Sequence, residues 1–156
     1  MRAHLTAVAG IAVAVAGCQA PANTEPQDAL VVREYINPRS PTDGEVPPFS
    51  GAVRVGETLY LSGTIGREAD GSIPDTAERE AELVLNNVKA TLEAAGMTMD
   101  DLVHVQIFSS DVSDYDAFNS VYRTYFEQEF PARAYLGSGT LLFGARFEVQ
   151  SIAVAR

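Results

Sequence analysis

Ala81, Val84, Leu85, Val88, Leu92 and Ala95 recur at helical spacing, and Gly96 follows them directly. That spacing collects the apolar side chains on one stripe of an α-helix and leaves Glu80, Glu82, Lys89 and Glu93 on the opposite face. Asp75-Thr76-Ala77-Glu78 has capping-box spacing, an acceptor side chain with a glutamate three residues on, so the helix is expected to begin there. Gly96 suits the left-handed conformation that ends it. An amphipathic helix gains most of its stability by packing its apolar side on another layer. The flanking segments show what that layer is.

They are strands. Leu30–Ile36 is rich in β-formers. Phe49–Val55 and Thr58–Gly63 flank the two-residue connection Gly56-Glu57 and form a hairpin. Residues 37–48, with four prolines, and 66–74, with Asp70-Gly71, are loops. Leu102–Phe108 alternates: Val103, Val105 and Ile107 share one face, and His104, Gln106 and Phe108 the other. His104 therefore belongs to a strand as a structural residue. Ser113-Asp114-Tyr115-Asp116 opens a second helix carrying Tyr115, Phe118, Val121, Tyr122, Tyr125 and Phe126 at helical spacing, its aromatics facing the core. Asp111, Asp114 and Asp116 lack the spacing, glycine and terminal glutamate of an EF-hand and read as caps. Pro131 ends this helix. Ala132–Gly137 is a strand, 138–144 a loop, and Arg146–Ala155 a final alternating strand.

Strand, hairpin, helix, strand, helix and two strands make an α+β domain: one mixed sheet with both helices on one face. No further helix covers the other face, which predicts self-association through it. The 156 residues suit a single domain preceded by a leader. Arg2 is followed by the apolar run Ala7–Val15 and then Val15-Ala16-Gly17-Cys18. The run is too short for a membrane-spanning helix, which needs about 20 residues, and has the form of a signal peptide. Cys18 after Ala16-Gly17 resembles a bacterial lipobox, which implies cleavage before Cys18 and lipidation there. Gln19 at the next position leans the sorting towards an outer membrane. The expected organisation is a signal peptide over 1–17, a flexible tether over 18–29, and a folded domain over 30–156.

Charge and composition exclude several chemistries. A net charge of −10 argues against a nucleic-acid backbone as partner, although one local arginine can still attract a small anion. One cysteine and two histidines make a His/Cys metal site improbable, and a Ser-His-Asp triad would rest on His104 alone. The informative charge is Arg133, in Phe130-Pro131-Ala132-Arg133-Ala134-Tyr135-Leu136. A guanidinium at the mouth of a strand among apolar residues offers forked donors to a carboxylate.

Four pieces carry a wider likeness: Pro48-Phe49-Ser50, Leu61-Ser62-Gly63-Thr64-Ile65-Gly66, Asn86-Asn87-Val88-Lys89-Ala90-Thr91-Leu92-Glu93-Ala94-Ala95-Gly96, and Phe130-Pro131-Ala132-Arg133. Together they resemble the Rid family, the reactive intermediate deaminases also called the YjgF family, from Val31 to Arg156. The resemblance implies a chorismate-mutase-like fold, a homotrimer with sites between subunits, and hydrolysis of 2-imino acids or their enamines to 2-keto acids and ammonia without metal or cofactor. It assigns Arg133 to the substrate carboxylate. It also implies substrate-binding roles for Phe49, which lacks the hydroxyl of the family's tyrosine, and for Ser62, Asn119, Tyr122 and Tyr135, the last at a position that is small or sulfur-containing in the family. The family's water-positioning glutamate falls on Gln150, on the strand read as Arg133's neighbour, with Glu148 one pleat earlier. A glutamine can hold a water but cannot take its proton. The alternative reading is therefore a non-catalytic binder of small carboxylates.

Overall fold

The computed structural model describes residues 31–37 and 47–156. Cys18, the leader and the tether lie outside the described residues, as do residues 38–46 of the proline-rich loop. The elements are β1 (Arg33–Ile36), β2 (Ala52–Val55), β3 (Thr58–Ile65), α1 (Ala77–Ala94), β4 (Leu102–Ser109), α2 (Tyr115–Tyr122), β5 (Ala132–Gly137) and β6 (Phe147–Val154). They build a mixed sheet in the order β1-β2-β3-β6-β4-β5. All pairings are antiparallel except β4 with β5.

Both helices pack on one face. Val84, Leu85, Val88 and Leu92 of α1 are buried there with Leu59, Leu61, Val105, Ile107, Phe147, Val149 and Ala153 of the sheet and Phe118 of α2. The opposite face is open. Its central row runs Tyr35, Val53, Tyr60, Ile152, His104 by strand register, and Tyr60 is 50% exposed.

Several local expectations shift. The α1 cap is Thr76, not Asp75: its hydroxyl accepts the N–H of Arg79, while Asp75 gives its carbonyl to Arg146. At the other end Gly96, at φ +71°, donates to Glu93 O and Met97 donates to Leu92 O, a Schellman closure. Glu80 does not belong to the solvent face; it is fully buried. Val103 is 45% exposed although Val105 and Ile107 are buried. A bulge between Leu102 and His104 inserts one extra residue, and Leu102 turns into the core instead. Ahead of α2, Asp111 accepts the N–H of Ser113, whereas Asp114 makes no side-chain cap. Among the α2 aromatics, Phe118 and Tyr122 are buried, Tyr125 and Phe126 pack partly on the core, and Tyr115 is exposed. The helix also ends earlier than Pro131. It stops at Tyr122 and gives way to a 3-10 turn over Arg123–Tyr125. Asp100 then accepts the N–H groups of Glu127 and Gln128, which holds the chain out of helix before the proline is reached.

Candidate functional site

β5 is an edge strand, and its parallel register with β4 decides where its side chains go. Arg133 lies opposite Val105, a core position, so it leaves the sheet on the helix side. There its guanidinium carbon lies 4.6 Å from the centre of the Tyr122 ring and 5.8 Å from that of Tyr115. These are cation–π contacts, which leave the guanidinium edge and its N–H donors available. No carboxylate pairs with Arg133 among the described residues. Every other arginine with a described ion pair is tied to a glutamate or aspartate of the fold.

Tyr122 is 3% exposed, and its hydroxyl has no hydrogen-bond partner among the described residues. Burial pushes its phenol up to about 12, against the opposing charge of Arg133, so it stays protonated and can only act as a neutral donor or acceptor at neutral pH. Asn119, one helical turn earlier, is buried on the same side. Tyr135 follows Arg133 on the same face of β5. Its hydroxyl donates to Ser109 Oγ at 3.1 Å, and Ser109 donates to the Asp111 carbonyl at 2.7 Å. Burial pushes the Tyr135 phenol above its ordinary value, with the Ser109 hydrogen bond pulling the other way. Arg133, Tyr122, Asn119 and Tyr135 thus form one group at the β5 edge, bedded on Phe118.

The other expected site residues do not join them. β6 is not the neighbour of β5, because β4 lies between the two. Gln150 pairs with Gln106, which pairs with Ala134, so it points to the open face, opposite to Arg133. It is exposed in a hollow shared with Tyr60, His104 and Gln106. Ser62 sits at a bulge in β3, where Leu61 pairs with Ser151 and Thr64 with Val149, leaving Ser62 and Gly63 beside Gln150. Its hydroxyl donates to Ser50 O at 2.7 Å, which ties the hairpin to the segment carrying Phe49, itself 61% exposed.

Glu148 lies at the same bulge. Its carboxylate lies so close to Gly63 that a Cβ there would come within 2.1 Å of Glu148 Oε1. The missing side chain at Gly63 leaves room for the carboxylate to lie against the bulge. Glu148 is half-buried and makes no ion pair or hydrogen bond among the described residues. Strand parity puts Glu148 and Gln150 on one face; at the β3 bulge the Glu148 carboxylate lies against Gly63, and Gln150 lies beside Ser62 and Gly63. The chain therefore carries two separate groups of side chains. One is cationic and aromatic at the β5 edge, and the other is acidic at the β3–β6 bulge on the open face. Among the described residues no three His, Cys, Asp or Glu side chains come together as metal donors, and no helix is long and apolar enough to cross a membrane.

The profile of the endoribonuclease L-PSP family matches residues 44–155. A 2-iminobutanoate/2-iminopropanoate deaminase of Dermatophagoides farinae is 40% identical over 70% of this chain and 87% of its own. The goat protein of the same name, from Capra hircus, is 38% identical over 81% of this chain and 92% of its own. Among solved structures, E. coli TdcF with bound serine superimposes with a TM-score of 0.71 at 30% identity, covering 79% of this chain and 99% of that one. RidA from an Antarctic Psychrobacter gives a TM-score of 0.69 at 32% identity, covering 78% of this chain and 98% of that one.

Proposed function

The chain belongs to the endoribonuclease L-PSP family, and from that premise we propose that it is an imine deaminase that hydrolyses 2-imino acids to 2-keto acids and ammonia. The observation that carries the reading is Arg133: a half-buried guanidinium, set on aromatic rings, without a carboxylate of the fold. A substrate carboxylate completes it through paired charge-assisted hydrogen bonds. The orphan Tyr122 hydroxyl supplies a further donor, and Asn119 and Tyr135 bound the recess.

Holding the carboxylate places the adjacent C=N carbon, already electrophilic, for attack by water. Glu148 is the group in this chain suited to orient that water and accept its proton. Water adds to the carbon, the proton passes to nitrogen, and the resulting carbinolamine expels ammonia as C=O forms. Glu148 supplies the carboxylate that Gln150 lacks, with Gln150 and Ser62 beside it at the bulge.

Because the two half-sites of one protomer face different ways, we place the working site between protomers of a homotrimer, Arg133 from one and Glu148 from the next. The open sheet face gives the contact surface. Relatives named as deaminases of small imines support the reaction class. The test is release of keto acid and ammonia from imines generated in situ by an amino-acid oxidase. Arg133→Ala should cost roughly 100-fold in kcat/KM, since hydrogen bonds to a charged group contribute about 1.5–3 kcal/mol each. Undiminished turnover by that variant would remove the arginine from the mechanism.

The leader adds a proposal on location: export, cleavage before Cys18 and lipid anchoring in a bacterial envelope, with residues 18–29 as tether. Labelling with radioactive palmitate should mark the wild type and not Cys18→Ala. An unlabelled wild type ends that reading and leaves the deaminase reading untouched.

A further inference from the structure

The Glu148 side chain makes no hydrogen bond or ion pair among the described residues, so its backbone alone aims it. α1 holds that backbone from both sides. Glu80 Oε1 accepts the N–H groups of Arg146 at 2.6 Å and Phe147 at 3.0 Å, the two residues that lead into Glu148. On the facing strand Glu148 pairs with Ile65, and the Asn87 amide donates to the Ile65 carbonyl at 2.9 Å. Gly66, next along, runs so close to α1 that a Cβ there would come within 2.4 Å of the Glu80 carbonyl and 3.0 Å of the Val84 nitrogen. The helix thus grips both strands just where the acid lies against Gly63. Glu80 is fully buried, and a carboxylate taken out of water is costly unless hydrogen bonds replace its hydration. Here they do: two main-chain N–H groups reach one oxygen, and Arg146 Nη1 reaches the other at 3.0 Å. A buried network satisfied in this way fixes one arrangement of the backbone. Phe147 is a core position, so Glu148, the next residue of the strand, leaves the sheet on the face opposite to Glu80.

We infer that Glu80 is a positioning residue for the imine hydrolysis: by holding the Arg146 and Phe147 N–H groups it fixes the entry of β6 and with it the place of the Glu148 carboxylate, and so sets kcat without touching substrate. The inference rests on the reading of Glu148 as the group that orients the attacking water. A misplacement of about 1 Å at such a group costs on the order of 100-fold in rate. The two bonds of Glu80 that matter can be told apart. The N–H pair uses one oxygen, which a glutamine keeps, and the ion pair uses the other, which a glutamine loses. Arg133 stands on β5, which β4 separates from β6, so carboxylate binding should not follow changes at Glu80.

Steady-state hydrolysis of the alanine-derived imine, calorimetric binding of pyruvate and amide hydrogen exchange test it. Glu80→Ala, or Glu80→Met if the alanine variant does not fold, should lower kcat at least about tenfold and leave KM and the pyruvate Kd within about threefold. Glu80→Gln should recover kcat to within about threefold of the wild type, although it parts the ion pair. Val88→Ala, which removes buried packing about 12 Å further along α1, should lower the urea midpoint and still keep kcat within about threefold. Exchange at the amides of residues 147–149, taken relative to those of β4, should quicken at least about tenfold in the variant without an acceptor at position 80 and not in Glu80→Gln. Wild-type kcat in that folded variant, a glutamine variant equally slow, or an equal loss in Val88→Ala overturns the inference. A wild type that hydrolyses no imine overturns the deaminase reading instead. The exchange then decides this inference, and unchanged protection at 147–149 overturns it.

Discussion

The Tyr122 hydroxyl, buried beside Arg133 without a partner among the described residues, sets two properties against each other. An unsatisfied buried hydroxyl costs about 1–3 kcal/mol, so Tyr122→Phe should leave stability unchanged or raise it by up to that amount in urea denaturation. The same variant should bind 2-keto acids more weakly, because it removes a donor from the proposed carboxylate site. The phenol also predicts alkaline behaviour. Its folded pKa, about 12, lies above the ordinary 10.0, so the folded state holds the proton more tightly. That contribution is fully present below about pH 10 and is lost as pH rises towards about 12. The urea midpoint should fall across that window, less steeply in Tyr122→Phe; equal slopes would mean another group governs the decline. Glu148 and Gln150 separate by activity. Glu148→Gln should lose roughly 100-fold or more in kcat, the size of a general-base contribution. Gln150→Glu should stay within about threefold, and a large gain would return the missing-carboxylate role to position 150. Arg133 was legible in the sequence because Pro131 marks the strand start and apolar neighbours isolate the charge. The choice between Glu148 and Gln150 was not, since alternation alone treats them alike.

The stripe of α1 foretold its core face, but not the residue that fastens the helix to the sheet. Glu80 accepts the N–H of Arg146 at 2.6 Å and of Phe147 at 3.0 Å, and its other oxygen meets Arg146 Nη1 at 3.0 Å. Arg146 continues to Pro74 O and Asp75 O. Gly66 passes so near that a Cβ would lie 2.4 Å from the Glu80 carbonyl. This knot joins the end of β3, the start of α1 and the start of β6, immediately before Glu148. Removing the carboxylate leaves the buried Phe147 N–H without its acceptor and parts a pair whose arginine is 31% exposed, so Glu80→Ala should destabilise by about 1–3 kcal/mol in urea denaturation. A loss below about 1 kcal/mol would show that water replaces the carboxylate freely. Helical periodicity put Glu80 among the solvated charges because it ranks residues by angle around the axis. Its burial comes from β6, which lies more than sixty residues further along the chain.

The open face of the sheet and the proposed division of the site between protomers make one prediction for the assembly. A trimer should be seen by sedimentation, and Ile152→Asp, which places a charge on the central row of that face, should give monomers that hydrolyse no imine. If each site takes Arg133 from one protomer and Glu148 from the next, mixing unfolded Arg133→Ala and Glu148→Gln chains and refolding them together should restore up to about a quarter of wild-type activity, the share of interfaces with both groups intact. No recovery, with mixed trimers demonstrated, would place both groups in one protomer's site.

Local pattern sufficed for the number and order of strands and helices, the hairpin at Gly56-Glu57, the stop at Gly96, the one-sided helical layer and the exposure of the other face. Each of these follows from side-chain period and backbone preference within a few residues. It also singled out Arg133. Strand order, the bulges at Val103 and Ser62-Gly63, the burial of Glu80 and the separation of Arg133 from Gln150 depend on register between segments far apart in the chain. Register decides which of two equally spaced residues meets a given neighbour. One added residue in β3 sets Gly63 against Glu148, and one strand between β5 and β6 puts Arg133 and Gln150 on opposite faces of the sheet.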